Sequence, residues 1–151
     1  AGAKQYLGLH HAGRGIALGV LWGFGLLALL VVAGLILQRL GYTPDNASTE
    51  AVLKAAPLPL GLFLALSAGL GEEIFFRGLV QKRLGVIGQA ILFGLFHASY
   101  GTLVQVIAPL ILGLIFGLMV RRGRSLWVPI AAHVTFDAVQ FTLASLTPTA
   151  N

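Results

Sequence analysis

Cysteine is absent from the chain, which removes disulfides, thiolate nucleophiles and cysteine-ligated metals together. Without thiols, no redox compartment can be read. Acid is nearly absent too. Asp and Glu number 5 among 151 residues, and charged residues of both signs reach only 10%. A water-soluble domain carries roughly 25% charge, so a hydrated surface cannot be built from this composition. No basic, apolar and small-residue leader precedes the first long apolar run, and the sequence begins at Ala1. A processed or shortened piece, with earlier helices lying outside it, stays open on that ground.

What is present is apolar. Hydrophobic residues make up 57%, mean hydropathy is +0.89, and windows of about 20 apolar residues recur, each long enough to span a bilayer. The expected fold is all-α: a polytopic transmembrane helical bundle forming one membrane domain over residues 1–151. Net charge is +5 and pI about 10.3, values that nucleic-acid binders also show. Here, however, the basic residues fall in small groups between apolar runs, as loop charges do in membrane proteins. No basic stripe interleaved with aromatics is present, so nucleic acid is not an expected partner.

About five spans are expected: Ile16 to Leu40, Leu58 to Val80, a shorter helix from Val86 to Ser99, Leu103 to Val120, and Leu126 to Leu146. Pro129 falls in the first turn of the last, where a missing N–H costs little. Residues 41–56 form a polar extramembrane connector containing Pro44, Asp45, Asn46, Ser48, Thr49 and Glu50. Lys4 and Arg14 precede the first span, Lys82 and Arg83 follow the second, and Arg121, Arg122 and Arg124 follow the fourth. If the spans alternate, these groups share one side, and the positive-inside rule makes it the cytoplasm, with the N-terminus there. The Arg121–Arg124 cluster is read as that topology signal. Gly19, Gly23, Gly25, Gly113 and Gly117 read as close helix-packing positions, and nothing supports a role for His10 or His11.

Against this background Glu72 and Glu73 stand out, two adjacent acids inside an apolar run. Desolvating a carboxylate costs several kcal/mol even after relaxation, and an ionisable group within a membrane segment is a functional candidate by default. His97, His133 and Asp137 likewise interrupt apolar helices. At about 1.5 Å of rise per residue, Glu72 lies roughly 12–15 Å from the basic ends of the helices, His97 about 16 Å, His133 about 10 Å and Asp137 about 16 Å. These groups therefore share a layer. His133 and Asp137 are four apart and face one way, as are Glu73 and Arg77, so an ion pair can neutralise Glu73. Glu72 is turned about 100° away, toward the other helices, with Phe76 beneath it and Phe93 one turn before His97.

A carboxylate, two imidazoles and a second carboxylate around water form a hydrolytic constellation. Glu72 would take a proton from water, His97 would orient that water or bind a metal, and His133 with Asp137 would stabilise an oxyanion. Two His and a carboxylate also suit a catalytic Zn²⁺, held among Glu72, His97, His133 and Asp137. The His-Glu-x-x-His motif is missing. Both chemistries stay open at this point.

The order Glu-Glu-x-x-x-Arg (Glu72, Glu73, Arg77), Phe-x-x-x-His (Phe93, His97), His-x-x-x-Asp (His133, Asp137) resembles the CPBP family. That family comprises the type II CAAX prenyl endopeptidases and bacterial bacteriocin-processing or immunity relatives. The resemblance covers residues 58–146, the family core. It implies an all-α intramembrane peptidase of the cell membrane, with its active site nearer the cytoplasmic side and a peptide or protein substrate beside the bilayer. Carried over, Glu72 and His97 activate water, His133 and Asp137 serve the oxyanion, and Glu73, Arg77 and Phe93 support. Eukaryotic enzymes carry Asn where this chain has Asp137. Both a metalloprotease and a metal-free glutamate scheme are implied by the resemblance. Two rivals belong to other classes: a non-catalytic immunity or scaffold protein binding a peptide or helix, and a proton-coupled transporter, which the lack of repeated halves disfavours.

Overall fold

A computed structural model describes residues 2–43, 45, 47–123 and 125–147. Pro44 and Asn46 of the connector, Arg124 of the basic cluster and the side chain of Lys4 lie outside what is described. The described residues form helices: α1 (Ala3–Tyr6), α2 (Ala12–Arg39), α3 (Ala47–Ala55), α4 (Leu58–Glu73), a π-helical segment (Ile74–Val80), α5 (Gln81–Phe96), a 3₁₀ turn (His97–Tyr100), α6 (Val104–Arg121) and α7 (Trp127–Leu146). Three stretches are long and apolar enough to cross a membrane: Ala12–Arg39, the run Leu58–Tyr100, and Val104–Arg121. The architecture is a helical membrane bundle.

Local chemistry sets the boundaries. α2 ends at Gly41, whose φ of 80° lets Gly41 N donate to Gln38 O and Tyr42 N to Leu37 O, satisfying carbonyls at the helix end. Pro59 lies in the first turn of α4 and Pro129 in that of α7, where the absent N–H is one the helix could not have used. The second and third expected spans are parts of one helical run, redirected at Gly85 (φ 68°, ψ −176°). That backbone region is essentially open to glycine alone. Gly101, at φ 85°, makes the next reversal.

α7 packs between α2 and α4, while α5 pairs with α6 and with the π-helical segment. Small residues allow the close approach. Gly15, Gly19 and Gly23 are the buried positions of α2, together with Leu26, and a Cβ at Gly19 would strike the Val128 carbonyl oxygen and Ala131. Gly69 of α4 meets Val134, and Gly61 meets Phe141. Without a hydrophobic driving force between helices in lipid, this backbone proximity is a main source of association. The outward faces carry Leu21, Phe24, Leu29, Val31 and Val32 on α2 and Phe63 and Leu66 on α4, all exposed in the isolated chain, as a lipid-facing surface requires.

The same packing explains where polar residues sit. α7 is flanked on both sides, so His133, Thr135, Asp137 and Gln140 are carried on a helix sheltered from lipid. At the basic end, the N-terminal segment straps across the bundle. Leu126 N donates to Gly8 O at 3.0 Å, and the Lys82 ammonium lies 3.5 Å from the Tyr6 ring centroid. At the opposite end, Gln105 of α6 donates to Thr49 of α3.

Candidate active site

The site forms where the α4–π junction, α5, α6 and α7 meet. Glu73, the last residue of α4, is completely buried. Its Oε1 accepts from Arg77 Nη1 at 2.8 Å and from His133 Nδ1 at 2.9 Å. The other ring nitrogen of His133, Nε2, lies 3.4 Å from Asp137 Oδ2. A carboxylate oxygen thus faces each nitrogen. Glu73, Arg77, His133 and Asp137 form one continuous chain of charge across two helices.

Arg77 is held in an aromatic slot. Its guanidinium carbon is 4.2 Å from the Phe93 centroid and 5.4 Å from that of Phe116, and both rings are buried. The ring quadrupoles attract the cation. Phe76 braces Phe93 edge-on at 5.0 Å, and Phe116 lies 6.4 Å from His133. The π-helical segment puts Arg77 here. Its wider turn sets residues four apart more nearly over one another than an α-turn does, and such segments recur at functional sites.

Glu72 and His97 sit at the margin. Glu72 is half-buried, and its Oε2 is buried with no hydrogen-bond partner among the described residues. It lies within Coulombic range of His133, His97, Asp137 and Glu73. His97 Nδ1 is 2.8 Å from the Phe93 carbonyl oxygen. A carbonyl only accepts, so Nδ1 carries the proton and Nε2 presents a lone pair. The ring stacks on Tyr100 at 6.1 Å and meets the Phe93 edge at 4.8 Å. Phe93 in turn lies 6.3 Å from His133, so this one aromatic separates the two imidazoles.

The structure thus brings Glu73, Arg77, His133, Asp137 and Phe93 into direct contact and leaves Glu72 and His97 beside them without a hydrogen bond to that chain. Glu73 does more than pair with Arg77, since it also holds His133. Sequence reasoning missed Phe116, Tyr100 and two buried or half-buried glutamines, Gln81 and Gln89. Phe116 carries no distinguishing signal within an apolar helix. The glutamines do, as polar residues in apolar surroundings, but they escape a search confined to ionisable groups.

Fold and site together define an integral membrane protein with a Glu–Arg–His–Asp cluster whose Glu73 and Arg77 are buried and whose His133 and Asp137 are half-buried. The chain belongs to the Rce1-like family of type II CAAX prenyl endopeptidases, whose model matches residues 54–139. It is also similar to an uncharacterized protein of Bacillus subtilis (strain 168), YpbD, with 28% identity over 96 residues, 63% of this chain and 51% of that protein. The chain therefore spans about half the length of the curated relative it matches. No solved structure matches it.

A metal does not fit the arrangement of these side chains. Among the described residues no three His, Asp or Glu side chains converge as a ligand group. His133 has both ring nitrogens against carboxylates, so it has no lone pair left to give. His97 offers only Nε2.

Proposed function

We propose that the chain is an intramembrane endopeptidase that hydrolyses a peptide bond of a membrane-associated or C-terminal peptide, using water activated by Glu72 and His97. Residues 58–146 form its working core, 41–56 an external connector, and the basic end faces the cytoplasm. Family membership supports peptide hydrolysis at the level of the family. The observation that carries the site assignment is the doubly paired His133 beside a carboxylate, Glu72, that has a buried oxygen with no partner.

The chemistry follows from the lone pairs and protons. A water between Glu72 and His97 donates one hydrogen bond to the Glu72 carboxylate and one to His97 Nε2, which orients an oxygen lone pair toward the substrate carbonyl carbon. Glu72 takes a proton as the C–O bond forms. Negative charge then gathers on the carbonyl oxygen, and His133 Nε2–H, whose contact with Asp137 is long at 3.4 Å, turns from that carboxylate to donate to it. Collapse breaks the C–N bond, and the proton held by Glu72 passes to the leaving amine. Glu73 supports by keeping His133 charged and oriented, Asp137 by holding Nε2, and Arg77 with Phe93 by fixing Glu73.

The test is hydrolysis in ¹⁸O-water by the purified protein in proteoliposomes, using a panel of lipidated and unlipidated C-terminal peptides. A product carboxylate carrying one solvent oxygen supports the reading. Peptide binding with no cleavage across the panel favours the scaffold reading instead.

A further inference from the structure

A row of polar groups continues beyond the site toward the basic end, and its Gln81 and Gln89 have no part in the mechanism above. Glu73, Arg77 and Gln81 succeed one another at four-residue spacing over about 12 Å. Facing them is Gln89 of α5, completely buried and one turn from Phe93. Gln81 Nε2 donates to Gly117 O at 2.9 Å, and Gln89 Nε2 to Gly113 O at 2.7 Å and Val86 O at 3.0 Å. The two amides meet over Gly117, where a Cβ would come 2.5 Å from Gln89 Nε2 and 2.9 Å from Gln81 Oε1. Gly117 adjoins Phe116 in sequence, and the Phe116 ring lies 5.4 Å from the Arg77 guanidinium.

Its atoms are not all satisfied by protein. Glu73 Oε2, Arg77 Nε and Nη2, Gln81 Oε1 and Gln89 Oε1 are buried and have no hydrogen-bond partner among the described residues. The amide orientations are forced, because each Nε2 faces a carbonyl that can only accept. Three buried oxygens therefore need donors, and buried N–H groups of Arg77 need acceptors. Water supplies both, and bridging waters are how native structures satisfy such groups.

We propose that a chain of internal waters joins Arg77, Gln81 and Gln89 to the free oxygen of Glu73. This hydrated column enters the bundle from the basic end at half-buried Gln81, and through it Glu73 and the His133 it holds exchange protons with bulk water. The relay role rests on the hydrolytic reading above; the waters themselves do not.

X-ray radiolysis of the protein in proteoliposomes tests both parts, because hydroxyl radicals formed from bound water label the side chains that touch it. Phe116 is only 2% exposed, so it is labelled only if water lies inside the bundle. We expect labelling of Phe116 in the wild type and a several-fold loss in Gln81→Leu/Gln89→Leu, with Phe141, packed on Gly61 away from the row, unchanged. The single variant Gln81→Leu, altered where the row reaches the surface, serves if the double variant does not fold. An unlabelled Phe116 in the wild type, or equal labelling in wild type and variant, overturns the column. In the same variants the His133 ring N–H exchanges more slowly with bulk water by NMR, and an unaltered exchange rate overturns the relay. Labelling of Phe116 in a preparation that cleaves nothing keeps the column and rejects the peptidase reading.

Discussion

Replacing Arg77 by methionine takes a cation from between Phe93 and Phe116 and leaves the Glu73 carboxylate with His133 alone. Both side chains of the Glu73–Arg77 pair are fully buried, so solvent screening does not soften the loss. Removing one partner of such a pair costs about 3–5 kcal/mol, because a buried charge loses its guanidinium partner. At about 2–4 °C per kcal/mol for a chain of this size, the apparent Tm should fall by about 6–20 °C. Fluorescence of Trp22 and Trp127 during a thermal scan in detergent reports it. The second arm is Arg77→Met/Glu73→Gln. The amide oxygen that this second change introduces still accepts from His133 Nδ1, and no uncompensated carboxylate remains, so the double variant should recover most of the loss. A drop below about 1 kcal/mol for Arg77→Met, the value of an exposed pair, would refute the buried-pair reasoning. So would a double variant as unstable as the sum of the single ones.

Gly19→Val should separate α2 from α7, since its Cβ would meet the Val128 carbonyl oxygen and Ala131. Overpacking of this kind costs about 1–3 kcal/mol or more, read in the same thermal scan against Gly25→Val, where a Cβ meets nothing and no loss is expected. Asp137→Asn keeps an oxygen to accept from His133 Nε2, so cleavage should stay within about tenfold of wild type, a difference near 1.4 kcal/mol in barrier. Chelators should leave cleavage intact, because His133 has no nitrogen free for a metal; inactivation by chelator with recovery on added Zn²⁺ would show that the ligand geometry rearranges.

The helices were legible in the sequence because apolar runs, first-turn prolines and glycine reversals act locally. The joining of the second and third spans into one redirected run was less so, since Gly85 reads as an ordinary loop residue until its positive φ is known. The polar layer was legible because Glu72, Glu73, His97, His133 and Asp137 are costly in apolar surroundings. Pairing was only half legible. Glu73–Arg77 follows from spacing within one helix, but the Glu73–His133 bond crosses from α4 to α7, and no periodicity carries that register. Helical spacing also turned Glu72 toward the neighbours, whereas the buried, doubly bonded acid is Glu73. The π-helical segment begins immediately after Glu73 and alters the angular relation of all that follows, a change that sequence spacing at 3.6 residues per turn cannot express. Phe116 was invisible for a simpler reason: an apolar residue in an apolar helix becomes a site residue only through what it touches.

In the proposed mechanism Glu72, the acid with a buried oxygen unpartnered among the described residues, activates water beside His97, while Glu73 holds His133. The direct measurement is peptide cleavage in proteoliposomes by wild type, Glu72→Gln and His97→Ala, each shown by thermal scan to be folded. Glu72→Gln should unfold at nearly the wild-type temperature and lose cleavage by two orders of magnitude or more, about the contribution of a general base, with His97→Ala also impaired. A folded Glu72→Gln that cleaves at the wild-type rate would contradict it.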